Sequence, residues 1–262
     1  MVHWSWTGMK NRLKAEYIIL KENNIFFWVL QAVWIIVAYN VFYICVPSVT
    51  RLYGGFYTSN ILALLFVMGI FFPIFLGAML GGLDYNASII NYKLTNESQK
   101  DYIRSKLGLM MLLILVYVLV FFVAGITLDV LAETFIGKVG SIVLFDLERV
   151  ILIAISWLVW GCISFFLAIV SKSMTVSVIC SILIFYMEQF LNNYLPAGIL
   201  RYGMVWNQKS LLGKFFSDDK AQFGIVQESF NSFGMALFIV AVGAIVSILD
   251  AKIVLEKRYG KN

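Results

Sequence analysis

Apolar runs long enough to cross a bilayer recur six times along the sequence, and they constrain the fold more than any motif does. They cover Ile25–Val46, Asn60–Leu83, Leu107–Leu128, Val150–Val170, Met174–Phe190 and Phe233–Leu249. A spanning helix needs about 20 predominantly apolar residues. In lipid every backbone polar group must be satisfied internally, so only helices and closed barrels span. A barrel would alternate apolar and polar residues, whereas these runs are continuous. Composition agrees: 61% of the chain is hydrophobic and 13% charged, against roughly 45–50% and about 25% in soluble domains. The expected fold is an all-α polytopic membrane protein of six transmembrane helices, forming one transmembrane domain over residues 1–262.

Lysine and arginine placement sets the expected orientation. Thirteen of the 20 basic residues fall on one side: Lys10, Arg12, Lys14 and Lys21 before the first span, Lys93, Lys100, Arg104 and Lys106 between spans two and three, Lys172 after span four, and Lys252, Lys257, Arg258 and Lys261 after span six. The positive-inside rule makes that side, and both termini, cytoplasmic. The expected location is the plasma membrane of a bacterium. Because the bases flank apolar spans, orientation accounts for the pI of 9.0, and no nucleic-acid partner is expected. Cys45, Cys162 and Cys180 lie inside apolar runs at wide spacing, as buried free thiols would. The polar first two dozen residues lack the compact apolar core of a cleavable signal.

Two segments outside the spans have amphipathic character. Over 7–22, Met9, Leu13, Tyr17 and Leu20 form a stripe with Lys10, Lys14 and Lys21 beside it, which predicts a helix in the cytoplasmic interface, anchored with help from Trp4 and Trp6. The outer loop, 191–232, is too long for a structureless connection. Its apolar islands, Leu211-Leu212 and Phe215-Phe216, predict short helices that dip into the outer leaflet or cap the bundle.

Familiar catalytic signatures are missing. Gly213-Lys214 is followed by Phe215 and has no upstream partner glycine, so the chain has no phosphate-cradling P-loop. His3, the sole histidine, precedes every span, which leaves HExxH and triad chemistry unsupported. No metal or cofactor is expected in this chain. Ionisable groups inside spans are functional candidates by default. Glu188, late in span five, is a candidate for a substrate path, alongside a plainer role as a hydrated carboxylate at the outer loop. Asp250 reads as a helix end meeting water. Gln31 and Asn40, in span one, are further candidates for the path or for hydrogen bonding between helices. The sequons at Asn86 and Asn96 fall on the cytoplasmic side and read as chance matches.

The segment 84–106 is the most informative. It is polar enough to leave the membrane, yet Ile89, Ile90 and Leu94 form an apolar face suited to a partner's groove; a plain connector is the alternative. Here the chain resembles the permease subunits of type-2 ATP-binding-cassette (ABC) exporters, in which an acidic residue ends span two, a short helix follows, and a lysine opens span three. Asp84, Ile90, Leu94, Ser98, Tyr102 and Lys106 are similar to those positions. The layout matches as well: an interfacial N-terminal helix, six spans, a long outer loop before the sixth and a basic tail. The chain departs from the family at Ser88-Ile89, where Gly-Thr is usual, and at Gln99-Lys100, where Ser-Arg would continue.

The resemblance implies a half-transporter without an ATPase site of its own. It would pair with a second permease copy or a sister permease and dock two copies of an ABC ATP-binding subunit, which would bind ATP and Mg. Segment 84–106 would be the coupling helix, with Ile89, Ile90 and Leu94 as docking knobs, Ser98 in the turn that follows, and Asp84 paired with a base on its own bundle or on the ATPase. Few charges in the spans favour an amphipathic or hydrophobic cargo, such as an antimicrobial peptide, lipid or drug. The competing class is a stand-alone channel, insertase or scaffold. The spans lack the pore-lining charges of a channel and the buried arginine of a groove-type insertase.

Overall fold

The computed structural model describes residues 6–23, 31, 34–35, 61–62, 65, 69–86, 89–96, 98–136, 144–191, 203–213 and 232–259. All regular structure among them is helical: α1 (Trp6–Lys21), α2 (Phe71–Asn86), α3 (Ile90–Asn96), α4 (Gln99–Ile136), α5 (Leu144–Ser171), α6 (Met174–Leu191), α7 (Met204–Gly213) and α8 (Phe233–Tyr259). Three apolar stretches, Gln99–Leu131, Val150–Ser171 and Gly234–Tyr259, are long enough to cross a membrane, and Phe71–Tyr85 and Met174–Glu188 are shorter apolar helices. The chain is thus a helical membrane protein. Most of the expected first span and part of the second lie outside the described residues.

Helix α5 is the hub, touching α2, α4, α6, α7 and α8. Its closest partner is α2, and the reason is local. A Cβ on Gly77 would collide with the backbone carbonyl oxygen of Gly161, and one on Gly81 would lie 2.8 Å from the Phe165 carbonyl oxygen. Small residues four apart let two helix backbones meet where lipid offers no hydrophobic drive for association. Ser164 fastens the contact by donating to the Ile74 carbonyl at 2.7 Å, while Ser177 on α6 donates to the Ser164 carbonyl at 2.5 Å. Pro73 sits in the first turn of α2, where a missing N–H costs little. The turn at Gly69–Ile70 precedes it, and Phe72 N–H donates to the Gly69 carbonyl at 3.0 Å.

Around that contact the core is aromatic. Phe72 stacks on Tyr117 with centroids 4.2 Å apart, Tyr117 meets Phe121 edge-on at 5.0 Å, and Trp34 stacks on Phe121 at 4.0 Å. Trp157 and Trp160 on α5 are fully buried. Helices α5 and α6 join through Ser171-Lys172-Ser173, with Lys172 at φ 56°. Arg258 of α8 closes this end by donating to the carbonyls of Ile169 and Val170 at 2.6 and 2.9 Å. The last turns of α2, α5 and α8 and the first turns of α4 and α6 therefore share one end of the bundle. The basic residues Lys93, Lys106, Lys172 and Arg258, expected on a common side, belong to segments that meet there.

Candidate functional site

At that end four segments converge on a closed ring of charges. Glu16 comes from α1, Asp84 from the last turn of α2, Lys93 from α3 and Lys106 from the first turns of α4. Lys93 Nζ lies 2.7 Å from Glu16 Oε1 and 2.9 Å from Asp84 Oδ1. Lys106 Nζ lies 2.5 Å from Glu16 Oε2 and 2.8 Å from Asp84 Oδ2. Each carboxylate thus bridges both ammonium groups, and the ring carries no net charge. Tyr102 donates its hydroxyl to Asp84 Oδ2 at 2.9 Å, and the Lys106 ammonium sits 5.4 Å from the Tyr102 ring centroid.

Local folding explains the convergence. The Ile89 N–H donates to the Asp84 carbonyl at 3.0 Å, and Lys93 N–H to the Ile89 carbonyl at 3.0 Å. This tight turn folds α3 back so that Lys93 reaches the residue that ended α2. Helix α4 then starts on a cap: Ser98 Oγ accepts from the Asp101 N–H at 3.1 Å and donates to the Asp101 carboxylate at 2.8 Å, a reciprocal arrangement that satisfies an orphan helix donor. Arg12 reaches the same carboxylate at 3.5 Å. On α1 the inward stripe is Leu13, Glu16 and Leu20: Leu20 is buried, and Leu13 approaches Gly108.

Asp84 is fully buried. Burial alone would raise its pKa, but the ammonium groups of Lys106 and Lys93 outweigh it and hold the carboxyl below its ordinary value. Burial likewise pulls Lys93 down, and Asp84 and Glu16 more than offset it, leaving the ammonium above its ordinary value. A buried ion pair repays desolvation only when its geometry is good and its remaining hydrogen-bonding capacity is used; the ring meets both conditions.

Asp84, Tyr102 and Lys106 are thus brought into direct contact, and the base that pairs with Asp84 lies on its own bundle. The other expected coupling residues are arranged differently from a set of outward knobs. Ile90 is 4% exposed and Leu94 packs against the main core, while Ile89 is half-buried. The face that α3 turns outward carries Asn91 and Tyr92, the latter 74% exposed. The helix turns its aliphatic side chains onto its own bundle, adding to the hold that Lys93 gives it through Glu16 and Asp84. Ser98 is a helix cap. Glu188 is half-buried in the last turn of α6 and has an interaction of its own. Gln31 is helical and half-buried, and Asn40 lies outside the described residues.

A second polar contact, missed from the sequence, lies deep in the bundle. Trp160 Nε1 donates to Gln208 Oε1 at 2.8 Å, and Gln208 Nε2 donates to the Ser156 carbonyl at 3.3 Å. Gln208 belongs to α7, inside the segment expected as an outer loop, and Asn207, Gln208 and Leu211 are all buried. Trp160 stands about 16 Å along α5 from Ser171 at 1.5 Å per residue, near half the thickness of a hydrocarbon core. The one sequence signal of this contact is that Asn207-Gln208 stands between Met204-Val205-Trp206 and Leu211-Leu212, and Lys209-Ser210 beside the pair hides it. The other apolar island, Phe215-Phe216, lies outside the described residues.

An apolar groove of about 160 Å³ between α4 and α5 is lined by Met111, Ile114, Leu115, Ile151, Ala154 and Leu158, among others. Among the described residues no group of three His, Cys, Asp or Glu is placed to hold a metal ion. Comparison with protein-family models, with curated proteins and with solved structures returns no match.

Proposed function

We propose that this chain is the membrane-spanning permease subunit of a type-2 ABC exporter, working in the plasma membrane with a second permease and two copies of a separate ATP-binding subunit that carries ATP and Mg. One observation carries the reading. The short helix α3, between two apolar helices, is clamped through Lys93 to Asp84 and Glu16 at once. A push on α3 is therefore delivered to α1, α2 and α4 together, as a rigid-body switch requires. The sequence resemblance over 84–106 and the overall layout support the same reading. The aliphatic lining of the groove between α4 and α5 suits an amphipathic or hydrophobic cargo.

The test is a mild-detergent pull-down of the tagged chain expressed from its own genomic locus, with co-purifying proteins identified and assayed for ATP hydrolysis. A stoichiometric P-loop ATPase is the expected result. Tyr92→Ala should reduce its recovery while leaving the amount of folded chain unchanged. Ile90 is unsuited to this test, since its side chain holds the bundle itself. A folded chain that purifies without any ATPase, under conditions that preserve a known ABC complex, would overturn the proposal in favour of a stand-alone membrane protein.

A further inference from the structure

Helix α1 has two faces, and the inward one is fully accounted for by Leu13, Glu16 and Leu20. About a third of a turn around the helix from them stand Lys14, Tyr17, Ile18 and Lys21, at the spacing i, i+3, i+4, i+7 that marks one face of a helix. All four side chains are exposed, Tyr17 to 42% and Ile18 to 44%. The stripe reads cation, aromatic, aliphatic, cation. Its height is fixed by the contact of Leu13 with Gly108, because Gly108 lies at the start of the long apolar stretch of α4. The stripe therefore lies where hydrocarbon gives way to headgroups.

We infer that this face of α1 docks on the anionic lipid headgroups of the leaflet at that end of the bundle. Charge complementarity selects the occupant. Glu16, the acidic residue in the middle of α1, is neutralised by Lys93 and Lys106 on the inward side. The outward charge is therefore that of Lys14 and Lys21 against the single exposed carboxylate of Glu22, which follows the helix, and remains net positive. Tyr17 suits the headgroup level and Ile18 the acyl boundary, while lysine stems lie along apolar surface with their ammonium groups at the phosphates. Each lysine near an anionic surface strengthens association roughly fivefold. Glu16 then joins the lipid-facing helix directly to Lys93 of α3.

The experiment is hydrogen exchange of the full-length chain in nanodiscs of phosphatidylcholine alone and of phosphatidylcholine mixed with phosphatidylglycerol, with no ATPase present, so that it stands independently of the transport reading. Residues of α1 should exchange more slowly in the anionic discs. Lys14→Gln with Lys21→Gln should abolish that lipid dependence while leaving exchange in phosphatidylcholine unchanged, and Lys257→Gln, on the exposed end of α8, should leave it intact. Equal exchange in the two lipids would overturn the inference, as would a lipid dependence that survives the double substitution. Slowed exchange of α1 that appears only on adding a soluble protein would also overturn it, by making the stripe a protein-docking face. Failure to recover an ATPase in the pull-down would leave this result unaffected.

Discussion

The bundle is stitched by polar groups at two levels, and the two stitches use different chemistry. At its end, four full charges close a ring between α1, α2, α3 and α4. Near its middle, the bond from Trp160 to Gln208 joins α5 to α7 with no charge at all. Depth explains the contrast. Desolvating an ion costs several kcal/mol even after relaxation, and a ring of two carboxylates and two ammonium groups offsets that only where every group is doubly paired. A neutral amide deeper in the bundle has a far smaller penalty to offset, so one good donor is enough. The charged stitch specifies which segments meet; the neutral one holds a returning helix in place.

Breaking the charged stitch should have the largest effect. Asp84→Asn removes one carboxylate and leaves Lys93 and Lys106 to share Glu16, so unfolding in detergent should be easier by about 3–5 kcal/mol, the cost typical of stranding a buried charge. Adding Lys106→Met to that variant restores neutrality, leaving Glu16 with Lys93, and should recover a large part of the loss. Full additivity of the two changes would show that the ring is not a coupled unit.

The neutral stitch should yield less. Gln208→Leu keeps the bulk of the side chain but orphans the Trp160 N–H, and interhelical hydrogen bonds in membrane proteins average about 0.6 kcal/mol, with a maximum near 1.7. The expected loss lies in that range. It should appear as faster hydrogen exchange across α7 with the ring end unchanged.

Acidity sharpens the comparison further, with no change expected over most of the scale. Asp84 is held below its ordinary value of 3.8, so the stability it contributes is present above 3.8 and is lost as pH falls through its lowered value. Lys93 is held above its ordinary value of 10.5, so its contribution is complete below 10.5 and is lost as pH rises through the raised value. Between those limits, melting of the purified chain should owe no pH dependence to these two residues. Below them, loosening should start at α1 and α3 and spare the contact between α5 and α7. A transition at neutral pH that Asp84→Asn removes would contradict this account.

The sequence made the apolar helices legible because lipid imposes one period and one length on them. Asp84, Tyr102 and Lys106 were singled out by the resemblance to exporter permeases over 84–106, and their meeting follows because the residues that end one apolar helix and open the next are confined to the same end of the bundle. Glu16 and Lys93 were harder to find. Glu16 lies three residues after Leu13 and four before Leu20, on the buried stripe, but a carboxylate there reads as solvated until its partners, at sequence separations of 77 and 90, are brought to it. Tyr17 was expected on one apolar stripe with Met9, Leu13 and Leu20; it is exposed while Leu20 is buried, because the side of α1 that packs on the bundle is centred on Glu16. Ile90 and Leu94 formed the apolar face expected of them, but periodicity alone does not say whether such a face turns toward a partner or toward its own bundle. The contact of Gly77 with Gly161 had a readable mark in the four-residue spacing of Gly77 and Gly81. Helix α7 was marked by the apolar island Leu211-Leu212, which predicted a short helix in the outer segment. The bond from Trp160 to Gln208 had almost no mark, since a short helix that returns among longer ones has no period of its own to say which side chains it buries.

The ring also sets an order of events during synthesis. Glu16 is made 90 residues before Lys106, and at the usual pace of translation, about 5–20 residues per second, that gap is on the order of ten seconds. For the first 77 of those residues, until Lys93 is made, the carboxylate lacks both ammonium partners of the ring and must stay hydrated, which keeps α1 out of the apolar interior. Only when α4 starts to emerge does Lys106 arrive to draw α1 against the bundle. The last bond of the ring forms only once α4 has begun to emerge, and it tells a bundle that contains α4 from one still missing it.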